Sequence, residues 1–192
     1  MNFDENYFKI LNYTNYLDRE DRYINLAKEL ISYLRTNQLI SEHDKFLDFG
    51  AAIGFLTNSL KKLKINCDAY DISEWARSEA KRRYDIDYID YSEKKYDCLI
   101  ALDVFEHMTD KNIEHCIRIF NPVKIIVRIP CSTNGGKSYH LNVSNIDPTH
   151  INCKNKDDWF NFFEKLGYQK KIKFNLYTIY DTVGVMCYLM IK

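Results

Sequence analysis

Apolar positions along the chain fall into short blocks whose period changes from one block to the next. From Asp18 to about Asn37, the residues Ile24, Ala27, Leu30, Ile31 and Leu34 recur every three or four positions, which predicts a helix with one buried face. Asp18 and Asp21 stand where a capping pair belongs. Beyond it, apolar runs of strand length alternate with helical spacing: strands at 45–49, 67–71, 86–89, 97–102 and 123–129, and helices at 54–64, 74–84 and 110–120. Runs such as Cys98-Leu99-Ile100-Ala101-Leu102 carry no polar face, as strands covered on both sides require. This alternation predicts an α/β protein with a parallel sheet between layers of helix.

The ends of the chain differ from its middle. Residues 1–17 are rich in tyrosine and asparagine and read as irregular or briefly helical, so 1–40 forms an N-terminal helical cover. The segment 130–156 is polar and lacks periodicity; a loop that long inside one domain is usually a lid or binding loop, here a substrate loop. A helix at 156–166 follows, with Asn155 as N-cap and Gly167 past its end. Two β-rich runs, 169–180 and 183–191, meet at Asp181-Thr182 and predict an antiparallel hairpin. The expectation is a single domain over 1–192 with seven strands.

The most informative stretch is Lys45-Phe46-Leu47-Asp48-Phe49-Gly50-Ala51-Ala52-Ile53-Gly54. It reads as a buried strand, a turn of small residues and a helix start, where backbone approaches a ligand closely and free N–H groups point outward. A dinucleotide loop reads G-x-G-x-x-G; here the order is D-x-G-x-A-x-G, with the acid first. The next strand ends in Asp71, the third run in Asp90 and the fourth in Asp103, so an acid closes or follows each of four successive strands. Ligands of open α/β sheets bind at those carboxyl ends.

This pattern resembles motif I of the class I S-adenosylmethionine (SAM)-dependent methyltransferases, with Ala52 in place of the middle glycine. The resemblance implies a Rossmann-like, doubly wound, mostly parallel seven-stranded sheet ending in an antiparallel hairpin. It implies SAM as cofactor and a cofactor site of Asp48, Gly50, Ala51, Ala52, Gly54, Asp71, Ile72, Asp90, Tyr91, Leu102 and Asp103. By that likeness Asp71 bonds the ribose hydroxyls, Asp90 the adenine amino group, and Leu102 and Asp103 border the methionine part. The bland alternatives are a helix cap for Asp71 and a solvated turn acid for Asp90. Leu102-Asp103-Val104-Phe105-Glu106-His107 is similar to the segment after strand four in small-molecule methyltransferases of the quinone-biosynthesis type. The usual Pro-Gly-Gly turn before strand five is replaced by Asn121-Pro122-Val123.

The reaction implied is an in-line SN2 displacement, and a hydroxyl acceptor needs a base. His150 is the first candidate and His107 the second, each weighed against a histidine that merely bonds backbone. Tyr13, Tyr16, His140 and His150 are the candidate substrate contacts, with the tyrosines as core anchors in the alternative. Cys131, His140, His150 and Cys153 have ligand chemistry but match no zinc spacing, so no metal is expected. Pro130-Cys131 follows strand five rather than four, which argues against a covalent cysteine of the cytosine-methylating kind.

Composition narrows the partners. Lysine plus arginine and aspartate plus glutamate both number 27, so no global field favours nucleic acid or anionic membrane. The six cysteines are scattered without a C-x-x-C pair, no run reaches membrane-spanning length, and the start lacks a basic-then-apolar signal. These features suggest a cytoplasmic enzyme acting on the oxygen or nitrogen of a small molecule, a sugar or metabolite. Nucleic acid is an unlikely partner on this reading, and oligomeric state is unknown. The rivals are a nucleic-acid or protein methyltransferase and an inactive SAM-binding module.

Overall fold

The computed structural model describes residues 3–9, 16–91 and 94–192. Tyr13, one of the expected substrate contacts, lies outside the described residues. Those residues form seven α-helices and six strands, and no helix among them is long and apolar enough to cross a membrane. The chain divides into two compact units, the described residues of Met1–Ser92 with Leu176–Thr178, and those of Glu93–Asn175 with Ile179–Lys192.

The first unit contains α1 (Glu5–Lys9), a 3-10 turn at Tyr16–Asp18, α2 (Glu20–Thr36), β1 (Phe46–Phe49), α3 (Phe55–Lys62), β2 (Cys67–Tyr70) and α4 (Glu74–Tyr84). Of the predicted stripe, helix α2 buries Ala27, Leu30, Ile31 and Leu34 and leaves Ile24 half-buried; it buries Leu26 as well and packs on α3. It starts at Glu20, because Asp18 belongs to the preceding 3-10 turn. Every residue of β1 is buried, and it pairs in parallel with β2 from Phe46↔Cys67 to Phe49↔Tyr70. Three of the described opening aromatic residues are core. Tyr7, Phe8 and Tyr16 cluster with Ile53, Phe55 and Ala76, Phe8 stacks on Trp75 at 5.3 Å, and Tyr16 meets Phe55 at 5.6 Å.

The expected strand at 86–89 is a single parallel bridge, Ala69↔Tyr88, so the described strands number six and not seven. Asp87 and Asp90 are exposed, leaving Ile86 and Tyr88 as its inward anchors. The Tyr88 hydroxyl is committed to the loop after β1, donating to the Ala52 carbonyl at 2.7 Å, while Ile86 packs with Ala51 of that loop and Ala69 of β2.

The second unit contains β3 (Cys98–Leu102), a 3-10 turn at Phe105–His107, α5 (Asp110–Phe120), β4 (Lys124–Pro130), α6 (Asn142–Ile146), α7 (Lys156–Lys165), β5 (Lys170–Lys173) and β6 (Val185–Ile191). Strands β3 and β4 are parallel, whereas β6 runs antiparallel to both β4 and β5. Helix α5 buries Ile113, Cys116, Ile117 and Phe120, and α7, capped by Asn155, buries Trp159, Phe162 and Phe163. Strand β5 ends at Lys173 instead of running to 180, and the tight turn expected at Asp181-Thr182 falls at Val183-Gly184, where Thr182 and Val185 exchange both backbone hydrogen bonds. Three donors just beyond β5 are claimed elsewhere. The N–H groups of Tyr177 and Thr178 and the Thr178 hydroxyl all bond the Glu29 carboxylate, at 2.7, 2.7 and 2.6 Å. The polar segment 130–156 is also not wholly irregular, since it holds α6, whose few residues are too short to show periodicity.

Candidate active site

In the first unit the small-residue turn after β1 is built from left-handed backbone: φ is 78° at Gly50, 49° at Ala52 and 83° at Gly54. Gly54 is demanded by packing. A Cβ there would sit 3.1 Å from Ile86 Cδ1 and 3.3 Å from both Ala80 Cβ and the Tyr88 hydroxyl. Ala51 is buried, and its N–H and that of Gly50 bond the Tyr70 carbonyl at the tip of β2. Asp71 follows directly. Its Oδ2 accepts from the Ala52 N–H at 2.7 Å and its Oδ1 from the Ser73 N–H at 2.8 Å. Burial raises the Asp71 carboxyl above its ordinary range, against the pull of those N–H groups. Ser73, not Asp71, caps α4, accepting from the Ala76 N–H at 3.1 Å.

Asp48 is buried, and its Oδ2 accepts from the Thr57 hydroxyl at 2.6 Å. Burial, with Asp71 adding like charge, raises it to about 7. Ile72 is 64% exposed and Tyr91 37%, two apolar faces near the tip of β2, with Tyr91 5.6 Å from the Tyr70 ring. Asp90 is exposed. Tyr16 is buried with its hydroxyl pushed well above the usual range by desolvation, and Asp48 and Asp71 are near enough to add to the shift.

In the second unit β3 ends at Leu102, and Asp103 turns the chain with φ 55°. Its carboxylate is gripped by Arg128 of β4, whose Nε lies 3.0 Å from each oxygen while Nη2 bonds Oδ2. One turn on, Glu106 is buried, and neither of its oxygens has a hydrogen-bond partner among the described residues. Burial drives that carboxyl well above its ordinary range, and the charge of Asp103 adds to the effect.

Beside Glu106 lie both candidate catalytic histidines, with ring centroids 4.5 Å apart. His150 Nε2 is 4.0 Å from Glu106 Oε1 and 3.7 Å from Asp147 Oδ2. Its Nδ1 is 2.7 Å from the Ser144 carbonyl of α6, which can only accept, so Nδ1 carries a proton. His107 is fixed the same way. Thr149 gives its one hydroxyl proton to Asp147 at 2.5 Å and therefore accepts from His107 Nδ1 at 2.7 Å. Burial, with His150 nearby, lowers His107 to about 4, so its ring is neutral. The backbone ties the two segments of this arrangement together: the N–H groups of Ile151 and Asn152 both bond the Glu106 carbonyl, at 2.9 and 3.0 Å.

His140 stands apart from this group. It is exposed, its Nδ1 is 3.2 Å from the Thr133 hydroxyl, and its ring lies over Gly184. Cys131 is buried with its thiol raised to about 12, which makes it a poor nucleophile.

Comparison with known proteins decides the family. The family model described as a methyltransferase domain matches residues 18–171. The chain belongs to the methyltransferase domain family. Among solved structures, the methyltransferase domain of bacterial CtHen1 is 18% identical, with a TM-score of 0.60 over 92% of this chain and 100% of that one. Magnesium protoporphyrin IX methyltransferase from Synechocystis PCC 6803 with bound SAM is 15% identical, with a TM-score of 0.58 over 92% and 82%. The putative methyltransferase in complex with the Haloferax volcanii Trm112 methyltransferase activator is 11% identical, with a TM-score of 0.63 over 91% and 93%. At these identities the likeness is one of fold, α/β and Rossmann-like, with six strands in mixed pairing among the described residues. No curated protein matches.

Membership makes this a SAM-dependent methyltransferase, and the first unit is consistent with that cofactor. A carboxylate has about four lone-pair sites, and the two N–H groups on Asp71 leave room for ribose hydroxyls. The exposed face of Ile72 beside it suits an adenine. Sequence reasoning weighed His107 and His150 separately and passed over Glu106. Nothing in local spacing joins residue 106 to residue 150; only Glu106 directly before His107 hinted at it.

Proposed function

We propose that this methyltransferase transfers the SAM methyl group to an oxygen or nitrogen of a small molecule, a sugar or metabolite, by in-line displacement at the sulfonium carbon. The observation that carries the reading is the Asp71 carboxylate, held by two backbone N–H groups beside the left-handed turn at Gly50, Ala52 and Gly54. Asp71 takes the ribose, with Ala51, Ile72, Asp90 and Tyr91 around the adenine. Asp48 supports the turn from below through Thr57. Leu102 and Asp103 border the methionine, where a carboxylate opposite an ammonium makes a charge-assisted contact.

Methyl transfer of this kind gains mainly from aligning the two reactants and excluding water. His150 takes the acceptor proton with His107 beside it, each ring being fixed through its Nδ1, by the Ser144 carbonyl and the Thr149 hydroxyl. A small acceptor agrees with the balanced charge of 27 against 27, and the Synechocystis relative is named for a small molecule, magnesium protoporphyrin IX. All six cysteines are free thiols, which supports a reducing compartment such as the cytoplasm.

Labelled SAM incubated with panels of hydroxylated and amino small molecules, total RNA and denatured protein tests the reading. Label passing to a small molecule supports it. Label passing only to RNA or protein moves the enzyme to the polymer class, and tight SAM binding without any transfer makes it a binding module.

A further inference from the structure

We propose that Glu106, His107 and His150 form a binding site for a divalent first-row transition-metal ion. One ligand atom from each of the three lies within 4.8 Å of the others. Glu106 has no exposed surface, and both its oxygens lack a hydrogen-bond partner among the described residues. That arrangement is costly for an ionised carboxylate. It is unsatisfactory for a protonated one as well, since the O–H would have no acceptor and His150 Nε2, at 4.0 Å, is beyond hydrogen-bond reach.

The outer contacts complete the argument. Each histidine donates its Nδ1 proton to a fixed acceptor, the Ser144 carbonyl for His150 and the Thr149 hydroxyl for His107, and Thr149 is itself tied to Asp147. Metal-bound histidines are oriented in this manner, with the ring nitrogen away from the ion bonded to a carbonyl or a carboxylate-linked group. Two oriented imidazole rings and a buried carboxylate thus bring three ligand atoms within reach of one ion. A cation meets all three at once.

The donor set indicates which cation. Imidazole nitrogen suits zinc, cobalt, iron, nickel and copper, whereas magnesium and calcium prefer oxygen. Bonds of roughly 2.0–2.2 Å place ligand atoms about 3–3.5 Å apart, so closure around an ion needs side-chain adjustment on the order of 1 Å. Three protein ligands leave at least one coordination position open. This departs from the expectation of no metal, which rested on the spacing of Cys131, His140, His150 and Cys153. Only His150 of that set takes part.

The test is metal binding by the full chain, with no need for turnover. Protein stripped with a chelator is titrated with Co²⁺, Zn²⁺ and Mg²⁺, following uptake by elemental analysis and, for Co²⁺, by visible absorption. We expect one equivalent of Co²⁺ or Zn²⁺ per chain and weaker Mg²⁺. Glu106→Gln should weaken Co²⁺ binding by at least about a hundredfold, and Thr149→Val by about 10–100-fold, the usual outer-contact range. The exposed His43→Gln variant should bind as the parent does. Circular dichroism and melting confirm that each variant is folded. Uptake well below one equivalent, Mg²⁺ bound more tightly than Co²⁺, or folded Glu106→Gln with parental affinity each overturns the proposal. Calorimetry with SAM on the stripped protein keeps the two readings apart, because the SAM site can hold while the metal site fails.

Discussion

Asp71 Oδ2 accepts the Ala52 N–H at 2.7 Å, so the acid at the tip of β2 pins the left-handed turn that follows β1. Its other oxygen holds the Ser73 N–H, and the carboxylate therefore shapes the loop in addition to any part in binding ribose. Asp71→Ala leaves both N–H groups without an acceptor in a half-buried setting. The expected loss is about 1–3 kcal/mol of folding stability, with a drop in SAM affinity of similar size. Denaturant melts and calorimetry measure the two, and unchanged SAM affinity in a destabilised variant leaves Asp71 only the structural task.

Asp48 sets a pH dependence. Its carboxyl rises from 3.8 to about 7 on folding, so between those values the native state holds a proton that the unfolded state has lost. Stability from this group is therefore present in full below about pH 4 and declines as pH rises to about 7. The ceiling for a shift of this size is roughly 4 kcal/mol. Asp48→Asn keeps an acceptor for the Thr57 hydroxyl and removes the titration. The parent should lose stability relative to the variant over that window, and two parallel curves of stability against pH would remove Asp48 as the cause.

Gly54 tests whether the loop's last glycine serves the ligand or the fold. Its φ of 83° and the contacts a Cβ would make with Ile86, Ala80 and the Tyr88 hydroxyl place the demand in the protein itself. Gly54→Ala should cost about 1–2 kcal/mol for the left-handed backbone alone, with crowding added. Thermal melts of the ligand-free protein should show the whole loss. A melting point equal to the parent's, together with reduced SAM affinity, would assign the glycine to the ligand instead.

The sequence was legible where chemistry and period coincided, and illegible where contacts are distant. The α2 stripe at Ala27, Leu30, Ile31 and Leu34 and the fully buried β1 announce themselves through spacing alone. The run 86–89 looked equally strand-like, yet Tyr88 and Ile86 serve the loop around Ala52 and Gly54, a use that no local pattern reveals. The strand expected to continue to 180 stops at Lys173, and the donors beyond it belong to Glu29, 148 residues away from Tyr177 in the chain. The candidate site divides in the same way. Asp48, Gly50, Gly54 and Asp71 are close in sequence and were found together. Glu106 and His150 are far apart in sequence and meet where the backbone of Ile151 and Asn152 bonds the Glu106 carbonyl.

Asp103 and Arg128 supply the sharpest test of the methionine end. The likeness to other methyltransferases gives Asp103 to the SAM ammonium, but here its carboxylate is already held by the Arg128 guanidinium. Both side chains are about one-third exposed, 36% and 32%, so the pair itself should add no more than about 1 kcal/mol to stability. Arg128→Gln keeps the backbone bond from the Asp103 N–H to the residue 128 carbonyl, at 2.7 Å, and hence the turn. If Asp103 meets the ammonium and Arg128 only orients it, Asp103→Asn should weaken SAM binding about tenfold or more, the range for a hydrogen bond to a charged group. Arg128→Gln should then change it by no more than about threefold, since the acid survives. Equal losses in both variants would mean that the ion pair acts as a unit, and no loss in either would remove Asp103 from the cofactor site.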